Sequence, residues 1–297
     1  MIREARPDDA ADVVALRAVV HPYLVRGVES TRKMIAEPPA GEDWTAYVAE
    51  VDGRVVGWVS AFRNIATTEP DVGEIALPHV HPAHRRRGLG HALVTRALDH
   101  VTALGVRRIV TWAQPDSVPF ARRHGFTPSR EVRYAALDLR PAPPAPEPPP
   151  GVLLHPLAGL DPRRVHRLEA AAADEPSDVP FERVTYEYWL WDVWENLGLD
   201  REASTAVEVD GELVAFSLVK RDGDRMWSDY TGTLPEHRGR GFALLAKRAA
   251  LHRAAGRGVR VAYTSNDAAN APMLAVNARL GYRPVASQWS CLRGLTG

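Results

Sequence analysis

The chain reads as one pattern written twice. Ala49–Ser60 (AEVDGRVVGWVS) and Val207–Leu218 (VEVDGELVAFSL) each set two alternating apolar runs around Asp-Gly, the favoured chemistry of a tight β-hairpin. The hairpin glycines Gly53 and Gly211 lie 158 residues apart. Gly88 and Gly241, each in an arginine-rich loop before a helix-forming run, lie 153 apart, and Gly125 and Gly281, each followed by an aromatic residue, lie 156 apart. Near-constant offsets over three landmarks point to two copies of one fold that differ by small loop insertions.

Arg140–Gly151 (RPAPPAPEPPPG) separates the copies. Its prolines lack amide donors and cannot continue a helix, so it reads as a semi-rigid, solvated polyproline II spacer, with a Pro-rich recognition motif as the alternative. The expected organisation is a domain over 1–139, a linker over 140–151 and a domain over 152–297, sizes ordinary for separate cores.

Within each copy the elements follow one order. A first strand (2–6; 152–157) leads to a helix that opens at Asp8 or Asp161, where a carboxylate can cap the first turn. The hairpin follows, then a strand (73–80; 226–233), the basic loop, a helix (90–104; 242–255), a strand (108–113; 260–264), a short helix and a final strand. This is an α+β, or mixed α/β, pattern built on a central sheet flanked by helices. Tyr186, Trp189 and Trp194 in YEYWLWDVWENLGL fit no single helical stripe; they line a substrate pocket or belong to core or interface.

Lys+Arg and Asp+Glu both total 37, so no global field selects nucleic acid and any anion site must be local. No apolar run reaches the roughly 20 residues of a membrane helix, and the charged start MIREARPDDA lacks a signal h-region. Cys291 is the only cysteine, which fits a reducing cytoplasm and a packing role. The expectation is a cytoplasmic monomer or homodimer with no metal, no membrane partner and no nucleic-acid partner.

The two loops, VHPAHRRRGLGHA from Val80 and TLPEHRGRGFA from Thr233, stand where a strand meets a helix. The first-turn amides of a helix lack intrahelical partners and face outward at the positive end of the dipole, which makes an anion site. Glycines let the backbone approach a ligand, and Arg85, Arg86, Arg87, Arg238 and Arg240 add charge suited to a pyrophosphate. An ordinary turn into a surface helix is the other reading of either loop taken singly. Neither loop has the Gly-x-x-x-x-Gly-Lys-Ser/Thr run or a dinucleotide fingerprint.

Val80, Pro82, Arg85, Gly88 and Gly90, and Pro235, Arg238, Gly241 and Ala243 with Thr233 replacing the valine, resemble the Val-x-Pro-x-x-Arg/Gln-x-x-Gly-x-Gly/Ala loop of the GNAT N-acetyltransferase superfamily. The resemblance covers nearly all of both halves. It implies two tandem domains, each with a mixed, mostly antiparallel sheet, and acetyl-CoA as cofactor. By the same resemblance the backbone around Arg86, Arg87, Gly88, Leu89, Gly90 and His91, and around Gly239, Arg240, Gly241, Phe242 and Ala243, would hold the pyrophosphate. Residues 77–80 and Thr231 to Thr233 would pair with the pantetheine arm. The second half is similar to a tandem branch common in actinobacteria, through Thr264, Asn266, Asn270, Met273, Asn277 and Gly281, with Lys247 after the loop. Asn266, Asn270 and Asn277 are candidates for the cofactor or substrate side, or helix caps.

An amine attacking a thioester must lose a proton, and the thiolate must gain one. Glu74 stands where many members of the superfamily keep a base; Asp229 is the nearest carboxylate on the equivalent strand; each is otherwise the salt-bridge partner of a neighbouring arginine. The family's thiolate-protonating tyrosine is replaced by Ala121 and Asn277, which leaves Tyr230, Tyr263 or water, and separates the chain from mycothiol synthases, whose second half retains that tyrosine. The resemblance implies acetyl transfer to a small-molecule amine with the second half catalytic; the alternative is a non-catalytic acyl-CoA-binding or scaffold protein.

Overall fold

The computed structural model describes residues 1–67, 69, 71–172, 177–179 and 185–295. Internal contacts divide the chain into two units, and the division is not a single cut at the proline segment. The first unit takes Met1–Val132, a short segment at Ser177 and the chain from Ser287 onward; the second takes the intervening residues from Arg133 to Ala286.

In the first unit β1 (Ile2–Glu4), β2 (Thr45–Val51), β3 (Arg54–Arg63) and β4 (Val72–Val80) pair antiparallel in that order. β4 runs parallel to β5 (Arg108–Ala113). The strand beside β5 comes from far along the chain: β12 (Arg283–Gly294) pairs antiparallel with it from Trp289 opposite Ala113 to Gly294 opposite Arg108. One face is covered by α3 (Leu89–Ala103), whose Leu93, Ala97 and Val101, spaced for one helical stripe, pack on Ala49, Val59, Ile75, Ile109 and Cys291. The helix approaches closely because β3 offers Gly57: a Cβ there would lie 2.9 Å from Leu93. The other face is covered by α1 (Ala10–Val20), through Val13, Leu16 and Val20 on Val48 and Trp58; α2 (Val28–Ala36), not foreseen in the sequence, follows it. A short α4 (Val118–Arg123) leads to β6 (Thr127–Asp138).

The cap expected of Asp8 falls to its neighbour. Pro7–Asp9 forms a 3-10 turn, and Asp9 accepts from the Arg6 amide at 2.7 Å and from the Arg3 guanidinium at 2.7 and 2.8 Å. Asp161 acts as expected, accepting from the Arg163 amide at 2.9 Å.

The second unit repeats the order. β7 (Val152–Pro156), β8 (Thr205–Val209), β9 (Glu212–Asp222) and β10 (Arg225–Thr233) pair antiparallel, β10 runs parallel to β11 (Val261–Asp267), and the far end of β6 lies beside β11. Thus each copy's sixth strand position is filled by residues of the other copy. α5 (Pro162–Ala172) buries Val165, Leu168 and Ala172, and α7 (Phe242–Gly256) buries an alanine-rich face. α8 (Ala271–Leu280) precedes β12.

The aromatic segment lacks a 3.6-residue stripe for a physical reason. α6 (Tyr186–Trp189) widens directly into a π turn over Leu190–Trp194, which changes the angular step between successive rings. Trp189 is 2% exposed, stacked with Tyr186 at 6.0 Å and Trp194 at 5.8 Å. The proline segment has no regular structure and belongs to the second unit, where His252 Nδ1 lies 2.9 Å from the Pro143 carbonyl.

Candidate active site

Both units open their sheets at the same place. The parallel pairing of β4 with β5 ends at Ile75, and that of β10 with β11 ends at Trp227. At the mouth of each split a threonine hydroxyl replaces the lost ladder bond: Thr111 Oγ1 donates to the Ile75 carbonyl at 2.7 Å, and Thr264 Oγ1 to the Ser228 carbonyl at 3.2 Å. A bulge follows. Between Ala76 and His79, and between Ser228 and Thr231, the strand carries one residue more than its antiparallel neighbour. In the first unit Leu77 takes φ +49°, unusual without glycine. A bulge reverses the alternation of side chains beyond it and frees backbone from the ladder.

The basic loops close over the wide end. Gly88 (φ +81°) and Gly241 (φ +84°) cap α3 and α7, and no atom of the described residues lies within 4 Å of where their Cβ atoms would be. The first intrahelical bonds are Ala92 to Gly88 and Leu245 to Gly241, both 3.0 Å. The amides of Leu89, Gly90 and His91, and of Phe242, Ala243 and Leu244, therefore precede the helical ladder. These cradles, open where a side chain would intrude, fit a diphosphate. The arginines divide in role. Arg85 Nε donates to the Val80 carbonyl at 3.1 Å and Arg238 Nε to the Thr233 carbonyl at 3.2 Å, so both pin the loop to the strand end. Arg86, in the left-handed region (φ +64°), lines the cavity; Arg87 is exposed. Arg240 lies 3.1 Å from His237 Nδ1 and over the Phe242 ring at 5.0 Å.

In the first unit the split encloses a cavity of about 950 Å³ that runs from Gly88, Gly90 and His91 to β4 and β5. Val80 and Ala121, the latter at the family's tyrosine position, lie in its wall. Its inner end is polar. Tyr23 Oη is within 3.1 Å of His21 Nδ1 and accepts from the amides of Gln114 at 3.3 Å and Gln288 at 3.2 Å. Glu74 does not line the cavity; burial pushes its carboxyl up to about 7, with a Trp112 hydrogen bond opposing.

In the second unit Asp229 is in a salt bridge, with Lys220 at 2.8 Å rather than with an arginine, and Tyr230 stands in the bulge with its ring edge-on to Phe216 at 5.4 Å. Thr231 Oγ1 is 3.1 Å from Ser217 Oγ, and Thr233 Oγ1 is buried without a partner among the described residues. Asn277 Nδ2 donates to Asn266 Oδ1 at 2.6 Å, while Asn277 Oδ1 is buried and unpaired among the described residues. Asn270 instead caps α8, accepting from the Met273 amide at 3.2 Å. Lys247 is buried, its Nζ 5.5 Å from the Tyr282 ring centre.

Sequence reasoning missed His21, His79, Gln288 and Glu169. Burial pushes the Glu169 carboxyl up to about 7, with the Trp189 indole donating to it at 2.8 Å. His79 stood inside the stretch GEIALPHV, but strict alternation misplaces it because the bulge intervenes.

Comparison with known proteins agrees with this geometry. The model of the acetyltransferase (GNAT) family matches residues 19–126 and 166–282. The chain is 31% identical over 253 residues to a mycothiol acetyltransferase of Amycolatopsis mediterranei, covering 79% of each chain, and 29% identical to one of a Nocardioides species, covering 93% of this chain and 95% of that one. Similarity to the mycothiol enzymes thus extends over most of the length, although Asn277 stands at the tyrosine position. A tandem GNAT protein from the clavulanic acid biosynthesis pathway superposes with a TM-score of 0.77 at 20% identity, covering 100% of this chain and 99% of that chain. A GCN5-related N-acetyltransferase from Sphaerobacter thermophilus gives 0.75 at 21% identity, over 99% and 95%. Among the described residues no helix is long and apolar enough to cross a membrane. Repeated cradle, repeated split and matching relatives lead to one statement: the chain belongs to the GNAT acetyltransferase family, as a tandem N-acetyltransferase that uses acetyl-CoA.

Proposed function

We propose that the chain acetylates the amine of a small molecule by direct attack in a ternary complex, and that the first unit's cavity is where the two substrates meet. The observation that carries this reading is the continuous space from the first turn of α3 to the β4 bulge. Acetyl-CoA supplies the activated acyl carbon of a thioester. The amides at Leu89, Gly90 and His91, with Arg86, would hold its diphosphate, and the β4 backbone beyond Ile75, left unpaired by β5, would take the pantetheine arm as an added strand. The packed rings of His21, Tyr23 and His79 would shield the inner end from water.

The sequence reading placed catalysis in the second half, and two observations favour retaining that as a second reading. Tyr230 stands in the β10 bulge beside the Asp229–Lys220 pair, and the unpaired Asn277 Oδ1 offers a buried acceptor. The experiment is a count of bound coenzyme A per chain by native mass spectrometry, with release of free thiol followed in parallel, for Gly88→Glu and Gly241→Glu separately. Turnover lost with Gly88→Glu and kept with Gly241→Glu supports the first unit. The reverse assigns transfer to the second.

A further inference from the structure

The inner end of the first unit's cavity holds charges and lone pairs that do not balance. His79, just past the β4 bulge, and His21, just after α1, line it with ring centres 5.2 Å apart and planes at 85°. His79 Nδ1 lies 2.6 Å from the Leu77 carbonyl. A carbonyl can only accept, so Nδ1 carries the proton and Nε2 keeps its lone pair. That Nε2 is buried with no hydrogen-bond partner among the described residues. His21 differs, because Tyr23, Gln114 and Gln288 surround its Nδ1.

Behind the two rings, outside the residues that line the cavity, lies Arg17, only 4% exposed. Its Nη1 reaches the Arg26 carbonyl at 3.4 Å and Thr31 Oγ1 at 3.5 Å, its Nε has no partner, and no carboxylate pairs with it among the described residues. A guanidinium removed from water without a counter-ion costs several kcal/mol. Burial first holds both imidazoles neutral: His21, with Arg17 and Arg85 adding, is pushed down to about 4, and His79, with His21 and then Arg17 adding, well below the usual histidine range. The cavity wall lacks a donor for one lone pair, and the cation behind that wall lacks an anion.

We propose that the acceptor enters this end of the cavity as an ammonium that also bears a carboxylate, giving its proton to His79 Nε2 and setting its carboxylate on the Arg17 side. This rests on the first unit being the site of transfer. A proton passes from the ammonium to Nε2, and the freed nitrogen pair forms the N–C bond to the acetyl carbon as the C–S bond breaks. Sulfur leaves with that bond's electron pair; of the two protons lost by nitrogen, one ends on the thiol and one in water. The carboxylate opposes the Arg17 charge, which adds to burial and to His21 in weakening His79 as a base, so proton acceptance rises when an acceptor with that group is bound. An amine without it meets a weak base and an unpaired guanidinium.

The test uses the full chain with acetyl-CoA, a panel of free amino acids, the matching methyl esters, and putrescine, read by thiol release. At least one free acid should exceed its ester in kcat/KM by roughly tenfold or more, the scale of an attraction between two charges separated by protein at an effective dielectric of about 20, with putrescine slower still. His79→Gln should lower kcat by about 10²-fold, remove the acid limb of the pH–rate profile and leave the Kd for acetyl-CoA unchanged. A second readout needs no turnover: the imidazole nitrogen resonances of His79 should shift on adding the free acid, but not the ester, to protein without acetyl-CoA. Arg17→Gln, or Arg17→Lys should the first fail to fold, should remove or reduce that shift. Esters or putrescine matching the acids, a His79→Gln variant within about threefold of wild-type kcat, or no response to any free acid by a chain that binds acetyl-CoA would each overturn the proposal. Failure to bind acetyl-CoA at all would instead overturn the broader reading.

Discussion

Replacing Glu74 with Gln should stabilise the protein above neutral pH. The folded chain raises this carboxyl to about 7 from an ordinary value of 4.5, because burial disfavours the charged form. Between those values the folded state keeps a proton that the unfolded state has released. The stability contribution is therefore whole below 4.5, falls as pH rises, and is fully lost above about 7. At about 1.4 kcal/mol per unit, the gap corresponds to about 3 kcal/mol. Gln cannot ionise and can still accept from Trp112, so the variant should escape the penalty. Urea unfolding of both proteins at pH 5 and pH 8 measures it: the variant should gain about 2 kcal/mol or more on wild type between the two. Glu169 carries a shift of the same sign, but it is present in both proteins and cancels in the comparison. Parallel stability curves would refute the reasoning, and would mean that Glu74 is ionised in the folded state and available as a base at neutral pH.

Other outcomes are equally open to measurement. Gly241→Glu forces a side chain into the left-handed region and sets a carboxylate before a helix start, so acetyl-CoA should no longer protect the second unit against thermal unfolding; the backbone cost alone is about 1–2 kcal/mol. Cys291 is fully buried and burial pushes its thiol up to about 11, so a thiol reagent at pH 8 should leave it unmodified until denaturant is added. Trp189→Phe removes the indole that donates to Glu169 and should cost about 1–3 kcal/mol in chemical unfolding. Deleting residues 287–297 removes the strand beside β5 and Gln288 from the cavity wall, and hydrogen exchange at Arg108–Ala113 should rise sharply while β8–β9 amides in the second unit keep more of their protection.

The duplication, the two Asp-Gly hairpins and the two glycine-capped helices were legible because each is written in local chemistry: turn residues, positive-φ glycines and apolar spacing. β5 was placed to the residue, and α3 and α7 to within one. The partner of β12 was not legible. Its residues alternate as any edge strand does, and nothing local distinguishes β5 from β11 as the neighbour. The π turn at Leu190–Trp194 was hidden for a related reason, since a change of helical step erases the stripe that announces a helix. At the site, the loops were found and the polar inner end was missed, because His21, His79 and Gln288 converge only after a bulge and a long-range strand pairing have formed.

The exchanged strand also governs how the protein can be made. A nascent chain that has left the ribosome as far as Asp138 still has β5 with an unsatisfied edge, and it keeps that edge until Trp289 emerges. At cellular elongation rates the delay is on the order of ten seconds. Throughout that interval an exposed row of amides and carbonyls invites pairing with other chains, so co-translational holding, rather than early independent folding of the first copy, should decide the yield.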